Sequence, residues 1–377
     1  MPGRLVISLD FELMWGVRDH RTIRDYGHAV LGARQAIPIM LQLFEQYGIK
    51  ATWATVGLLF AESREQMLEF APLASLPAYH DCTLSPYGAI NKSHTCSTRQ
   101  PEKTSATQAS DDENIGKNEK DDPFHYGLSL IRKIAETPGQ EIATHTYSHY
   151  YCGAKGADTK TFQTDLQAAL DIAKFNNLKI QSIIFPRNQI SSPFVNICAK
   201  AGLKTYRGNP GAYAYRDFDE IKKSQAVRAY RLADSVIAID SLQRLTSSSH
   251  SPIQRPLIDD DIRPDNAMTR NIMNVPSSRF LRFTNNDHRY LTALHLRRVC
   301  KELTAAAIQG GTYHLWWHPH NFGSDPDASL NSLDTILRTY RKLADSYGMA
   351  STAMCEFAQD SAAANTVERE NSGIAVA

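Results

Sequence analysis

The sequence predicts an α/β fold, a distorted (β/α) barrel of about seven parallel strands in a single domain. Short apolar runs typical of buried strands alternate with amphipathic helical patterns along most of the chain. Several of these runs end in ionisable residues, as strands of parallel α/β folds do where they carry a site. The length of 377 residues suits one large barrel.

The first strand–helix–strand unit is the clearest. Residues 6–9 form an apolar run, and residues 29–47 repeat apolar side chains with helical periodicity. Gly48 is well placed to end this helix, and residues 51–57 are rich in β-branched and aromatic types. Strands separated by a helix in this way pair in parallel through a right-handed crossover.

The same alternation continues along the chain. Further helices are predicted at residues 124–136, 159–176, 193–201, 289–307 and 330–347. Further strands are predicted at residues 141–144, 180–185, 204–207 and 313–317. We therefore expect the barrel to occupy residues 1–360 and a flexible tail to occupy residues 361–377.

A long polar loop at about residues 78–122 interrupts the pattern. From residue 94 onward it is dominated by Ser, Thr, Asn, Lys, Asp and Glu, a composition that cannot order itself by burial. Two interpretations stay open: a surface excursion, or a lid, since the loop lies between strands that carry candidate site residues. Residues 123–125 could return a side chain to that site.

Composition limits the partners that can be expected. A formal charge of +1 and a pI near 7.7 favour neither nucleic acid nor an acidic membrane surface. The six cysteines show no CxxC spacing, which favours thiols kept reduced in the cytoplasm. No basic-then-apolar segment precedes Asp10, and no apolar stretch is long enough for a membrane span, so we expect a cytoplasmic protein. The oligomeric state stays open.

Two strand ends offer ligands for a metal. His145 and His149 lie four positions apart just beyond a predicted strand, close enough to share one site. Asp10 and Glu12 follow the first strand, where side chains two positions apart point to the same face. Two imidazoles and one carboxylate are a common set for a catalytic divalent metal, with the second carboxylate free to act as a base. In isolation, the carboxylates could instead belong to a solvated strand end or a helix cap.

Two later strand ends supply further candidates. His318 follows bulky apolar residues, and Pro319 prevents the strand from continuing. A histidine held by an apolar wall can donate a proton near neutral pH. Arg187 could orient a carboxylate or bind a substrate oxygen, or could be an ordinary surface arginine. His314 and His320 are expected to be packing residues or residues that support the site from behind.

Together, four segments resemble the polysaccharide deacetylase family, the carbohydrate esterases that include chitin and peptidoglycan deacetylases. That family has an acidic first motif, a His-Ser/Thr-x-x-His motif, a third motif with Arg and Pro, and a late Leu-x-x-His-type motif. This chain has, in the same order, Asp-Phe-Glu at 10–12, His-Thr-Tyr-Ser-His at 145–149, Phe-Pro-Arg-Asn at 185–188 and Leu-Trp-Trp-His at 315–318. Its first motif departs from the adjacent aspartates usual in the family, and its third from Arg-x-Pro-Tyr/Phe-Gly.

The resemblance implies a metal-dependent hydrolase that removes an N-acetyl (or N-formyl) group from an amino sugar of a cell-surface glycan or its precursor. It implies a divalent metal, Zn²⁺, with the ligands Glu12, His145 and His149. By the same analogy Asp10 is the base, His318 protonates the departing amine, and Arg187 orients Asp10 or the substrate. Because the first motif is atypical, the opposite assignment of Asp10 and Glu12 stays open.

Three alternative functions remain from the sequence. A non-haem iron oxygenase uses the same ligand set, although usually on antiparallel folds. An O-deacetylating carbohydrate esterase would share the fold and the site. A non-catalytic carbohydrate-binding protein would share only the fold.

Overall fold

Parallel strands surround a partly polar centre, and helices cover them from outside. The computed structural model describes residues 2–91, 115–210, 272–282 and 289–359. The strands are β1 (Arg4–Phe11), β2 (Ala51–Thr55), β3 (Gln140–Thr144), β4 (Ser182–Ile183), β5 (Thr205–Tyr206), β6 (Met273–Asn274), β7 (Arg279–Phe280), β8 (Thr312–Trp317) and β9 (Ala350–Ser351). The α-helices are α1 (Ile23–Tyr47), α2 (Arg64–Phe70), α3 (Tyr87–Ile90), α4 (Leu128–Glu136), α5 (Thr159–Phe175), α6 (Ser192–Lys200), α7 (Arg289–Gln309) and α8 (Pro326–Tyr347).

The sheet has the strand order β6-β5-β4-β3-β2-β1-β8-β7, with β9 also paired to β1, and every pairing is parallel. One extended segment joins its two edges. Ser277 donates its backbone N–H to Gly208 O at 2.9 Å, and the next residue, Ser278, donates to His314 O at 2.8 Å. Counted as one strand, β6 and β7 give seven parallel positions. The prediction of a single-domain parallel (β/α) barrel is confirmed.

Alternation along β1 separates the outer core from the barrel interior. The odd-numbered residues pack outward, under the helices, in the large core cluster: Leu5, Ile7, Leu9 and Phe11. Val6 points inward and packs in a second cluster with Ala54, Ala143 and Ile184. Ser8 and Asp10 follow Val6 with the period of two that keeps side chains on the same face. The interior therefore changes from apolar to polar towards the carboxyl ends of the strands.

The predicted helices are present, with shifted ends. α1 begins at Ile23, six residues before the predicted start, because Thr22 and Asp25 form a capping box in which Thr22 N–H donates to Asp25 Oδ1 at 2.6 Å. Gly48 ends α1 in the left-handed conformation, at φ 66°. Residues 94–114 of the polar loop and the tail at residues 361–377 lie outside the described residues.

The short elements α2, α3, β6 and β7 were not anticipated, because they are too brief to show periodicity. Among the described residues, no helix is both long enough and apolar enough to cross a membrane.

Candidate active site

The carboxyl ends of β1, β3 and β8 bring five of the six predicted site residues together. Asp10 is the last residue but one of β1, and Glu12 follows the strand directly. His145 and His149 follow β3, and His318 follows β8. All except His318 are buried, and His318 keeps 24% of its side chain exposed. Solvent therefore reaches the site on the side where His318 lies.

Glu12 faces both histidines of the second motif with one oxygen. Glu12 Oε2 lies 3.1 Å from His149 Nε2 and 3.3 Å from His145 Nε2. His145 Nδ1 lies 2.8 Å from Ile184 O, which can only accept, so Nδ1 carries the proton and Nε2 of the neutral ring is free to ligate. In the described part of the chain, this is the one group of three side chains able to hold a metal ion. Its donor set fits Zn²⁺.

Glu12 is ionised in this setting. Burial alone would raise the pKa of its carboxyl, but His318, His145 and His149 outweigh burial, and the pKa lies well below its ordinary value. An ionised carboxylate is the form of this side chain that binds a divalent cation.

The loop that carries the two histidines is strained. Thr146 and His149 both have left-handed backbones, at φ 64° and φ 58°. Such conformations cost roughly 1–3 kcal/mol each in residues with a side chain. Hydrogen bonds hold the loop: Gly57 N–H donates to Thr146 O at 2.8 Å, and Tyr150 N–H donates to Thr146 Oγ1 at 2.7 Å. The strained turn directs both imidazoles at Glu12.

Asp165 of α5 anchors the same loop and was not predicted. It accepts hydrogen bonds from Tyr147 N–H at 2.8 Å, from Ser148 N–H at 3.2 Å and from the Ser148 hydroxyl. Burial raises the pKa of Asp165 to about 6, although these hydrogen bonds act in the opposite direction. No local pattern marks this residue, because it lies on the inner face of an ordinary amphipathic helix.

Gly16 allows Glu12 to take its position. A Cβ atom at Gly16 would overlap the Glu12 carboxyl group. The turn Leu13–Gly16 therefore wraps tightly around the carboxylate that follows β1.

Asp10 has a different partner, Arg207, at the end of β5. Arg207 Nη1 donates to Asp10 Oδ1 at 2.6 Å, and Nη2 donates to Oδ2 at 2.8 Å. Burial alone would raise the pKa of Asp10, but Arg207, with His145 and His318, outweighs it and the pKa is lowered. Arg207 is fully buried and lies 4.1 Å from the ring centroid of Trp316.

His318 stands between the two carboxylates. Its Nε2 lies 3.7 Å from Asp10 Oδ2 and 3.6 Å from Glu12 Oε1. Trp316 and Phe280 lie beside the ring, at centroid distances of 5.7 and 5.8 Å. Of the apolar residues that precede His318, Trp316 is therefore beside it, whereas Leu315 and Trp317 pack in the large core cluster. His320 stacks on His318 at 4.9 Å, and its own Nδ1 lies 4.0 Å from Glu12 Oε1. His320 thus packs on His318 at the edge of the site.

Arg187 lies at the entrance. It forms an ion pair with Asp19, and its guanidinium lies 4.4 Å from the ring centroid of Tyr151. The rings of Tyr151 and His149 are nearly perpendicular, and their centroids lie 4.9 Å apart. The arginine that pairs with Asp10 is Arg207, not Arg187. Arg207 ends the predicted strand at residues 204–207, and Arg187 follows the one at residues 180–185, but only Arg187 was predicted to be a site residue. Strand ends alone could have suggested both arginines.

The end of the polar loop packs beside the site. His125 O accepts a hydrogen bond from Trp15 Nε1 at 2.8 Å, and His125 Nδ1 lies 2.9 Å from Asp122 Oδ2. Residues 123–125 thus contact the turn that follows Glu12, and these contacts do not place one of their side chains in the site.

Comparisons with known proteins concern the fold. No family model and no curated protein matches the chain. The structure is similar to that of a protein from Mycobacterium smegmatis assigned as a polysaccharide deacetylase, with a TM-score of 0.55 and 13% identity over 97% of this chain and 92% of that one. A protein from Pseudomonas aeruginosa PAO1 with the same assignment gives a TM-score of 0.48 and 10% identity over 94% and 89%. Puue allantoinase gives 0.50 and 10% over 94% and 89%. The likenesses to the Mycobacterium smegmatis protein and to the allantoinase show a shared fold and nothing more.

Proposed function

We propose that this protein is a metal-dependent hydrolase that removes an N-acetyl or N-formyl group from an amino sugar of a cell-surface glycan or its precursor. One observation carries the proposal: the two buried carboxylates at the end of β1 have partners of different chemical types. Glu12 faces two imidazoles, whereas Asp10 is paired with a guanidinium. Such a division suits one carboxylate as a metal ligand and the other as a base.

Glu12, His145 and His149 would hold the metal, with Zn²⁺ as the expected ion. When bound, it supplies Lewis acidity and an acidified water. The remaining chemistry belongs to this chain's own side chains.

Asp10 accepts the proton of the attacking water. Because Arg207 keeps Asp10 ionised, its oxygens are proton acceptors at neutral pH. His318 protonates the departing amine, a role that suits its position between the two carboxylates and its partial exposure. Arg207 contacts the base rather than the reacting atoms and is a positioning residue.

The entrance suits a sugar. The ion pair of Arg187 and Asp19 offers both donors and acceptors to hydroxyl groups. Trp316 and Phe280 are partly exposed and offer apolar faces beside His318. A cytoplasmic precursor is the substrate we favour, because the six cysteines of the sequence lack the spacing of a disulfide framework.

The test combines metal analysis with release of acetate or formate. The purified full-length chain is assayed for zinc and then incubated with a panel of N-acylated nucleotide-linked and lipid-linked sugars. We expect His145→Ala to lose metal and activity together, and His28→Ala, at an exposed position, to keep both. A metal-replete, fully active His145→Ala protein would contradict the ligand assignment.

The same panel separates the alternatives. Release from O-acetylated sugars alone would indicate an esterase, and glycan binding without turnover would indicate a non-catalytic protein. Turnover that requires oxygen would indicate an iron oxygenase.

A further inference from the structure

A chain of polar side chains continues from Asp10 into the barrel. Arg207 Nη1, which donates to Asp10, also donates to Ser8 Oγ at 3.1 Å. Ser8 Oγ lies 2.8 Å from His314 Nε2, and His314 Nδ1 lies 3.2 Å from Val275 O. The side chains of Ser8, Arg207 and His314 are fully buried.

The direction of each hydrogen bond in this chain follows from chemistry. Val275 O can only accept, so His314 Nδ1 donates to it and the Nε2 of the neutral ring can only accept. The Ser8 hydroxyl must therefore give its one hydrogen to His314, which leaves its lone pairs for Arg207. Burial first, and the charge of Arg207 second, lower the pKa of His314 to about 3, so the ring stays neutral at neutral pH.

All five N–H groups of Arg207 are used. Two donate to Asp10 and one to Ser8. Arg207 Nε and Nη2 donate to Asn188 Oδ1 at 3.3 and 2.8 Å. A guanidinium whose five donors are satisfied in a buried plane has a single orientation. Ser8 lies on β1 between Asp10 and Val6, which packs in the apolar part of the barrel interior.

We propose that Ser8 and His314 are positioning residues that fix the plane of the Arg207 guanidinium and thereby the orientation of Asp10. This inference rests on the proposed function for its catalytic consequence, but not for its structural one. Without the acceptor at His314, the Ser8 hydrogen can turn towards Arg207, where two donors would face each other. Without the Ser8 hydroxyl, one buried N–H of Arg207 loses its partner.

The structural consequence can be measured without any substrate. In NMR spectra of ¹⁵N-arginine-labelled protein, Arg207 should show separate, slowly exchanging Nη–H signals, identified by their loss in Arg207→Lys. Ser8→Ala and His314→Leu should speed that exchange roughly tenfold, as expected for the loss of one hydrogen bond. Ser182→Ala is the matched control, because it removes a buried barrel hydroxyl that bonds Glu141 and Thr205 instead.

The expected catalytic consequence is a lower kcat with an unchanged KM. Ser8→Ala should lower kcat about tenfold to a hundredfold, the range expected for a misplaced catalytic group, with KM and zinc content unchanged. Ser8→Thr, which keeps the hydroxyl, should restore kcat. A wild-type protein without deacetylase activity would refute the proposed function, while the NMR comparison would still decide the positioning role.

Unchanged Arg207 exchange in folded Ser8→Ala would overturn the inference. If Arg207 Nη–H exchange is faster in Ser8→Ala but unchanged in folded His314→Leu, His314 is not a positioning residue. If His314→Leu does not fold, His314→Gln, which keeps an acceptor for Ser8, replaces it and should match wild type; faster exchange there would count against the acceptor role.

Discussion

The guanidinium of Arg207 meets the carboxylate of Asp10 in two parallel hydrogen bonds, at 2.6 and 2.8 Å, inside the barrel. This pair separates the two carboxylates of the first motif chemically. Asp10 is committed to an arginine, and Glu12 is left to the imidazoles of His145 and His149. The assignment of Glu12 as ligand and Asp10 as base, which the sequence left open, is therefore the one we propose.

Arg207→Lys should reduce kcat/KM by about a hundredfold or more. A lysine keeps the positive charge but cannot reproduce the two parallel hydrogen bonds, so Asp10 would lose its fixed orientation. Zinc content should stay at the wild-type level, because Arg207 contacts none of the three ligands in the described hydrogen bonds. Steady-state kinetics and metal analysis on one preparation check this. Loss of zinc in parallel with activity would mean that Arg207 supports the ligands instead.

Gly16→Ala should weaken metal binding without unfolding the protein. The added methyl group would overlap the Glu12 carboxyl and displace it. Disturbance of one ligand should lower zinc affinity about tenfold to a hundredfold. Competition with a chromogenic chelator measures the affinity. Gly48→Ala is the control. An alanine there would strain the left-handed backbone, but its methyl group would meet only open space. If both variants bind zinc like wild type, the close approach of Gly16 has no functional role.

The sequence predicted the site residues that directly follow strands. It did not predict which residues from other parts of the chain contact them. Asp10, Glu12 and His318 are recognisable because an apolar run stops at each of them. Arg207 also ends a predicted strand, but nothing in the sequence pairs it with Asp10. Asp165 follows no strand, because it lies on an ordinary amphipathic helix, α5. Which strand end reaches Asp10 depends on the curvature of the whole sheet, and a local pattern carries no information on it.

Arg187→Ala should raise KM about threefold to tenfold and leave kcat nearly unchanged. Arg187 is 41% exposed, pairs with Asp19 and lies over Tyr151 at the entrance, so its effect should be on binding. Initial rates over a wide range of substrate concentrations separate the two constants. A large fall in kcat with unchanged KM would place Arg187 in the chemistry.

Asp165 should make the stability of the protein depend on pH. Folding raises the pKa of its carboxyl from 3.8 to about 6, so the protonated form favours the folded state. That contribution is complete below pH 3.8 and is lost as the pH rises through about 6. Relative to Asp165→Asn, which does not titrate, wild type should lose up to about 3 kcal/mol between about pH 4 and pH 6. Denaturant unfolding of both proteins at several pH values measures the difference. A difference that is flat with pH would show that Asp165 does not titrate in this range.

His318→Gln should lower kcat about a hundredfold to ten-thousandfold, the usual contribution of a general acid. Zinc should be retained, because His318 is not one of the three proposed ligands. The decisive comparison uses an activated acetyl ester whose leaving group departs without a proton. On that substrate the variant should lose little activity, since the proposed metal ligands and the base are intact. Equal losses on the amide and on the activated ester would show that His318 acts before the leaving group departs, through substrate binding or through Asp10, which lies 3.7 Å away.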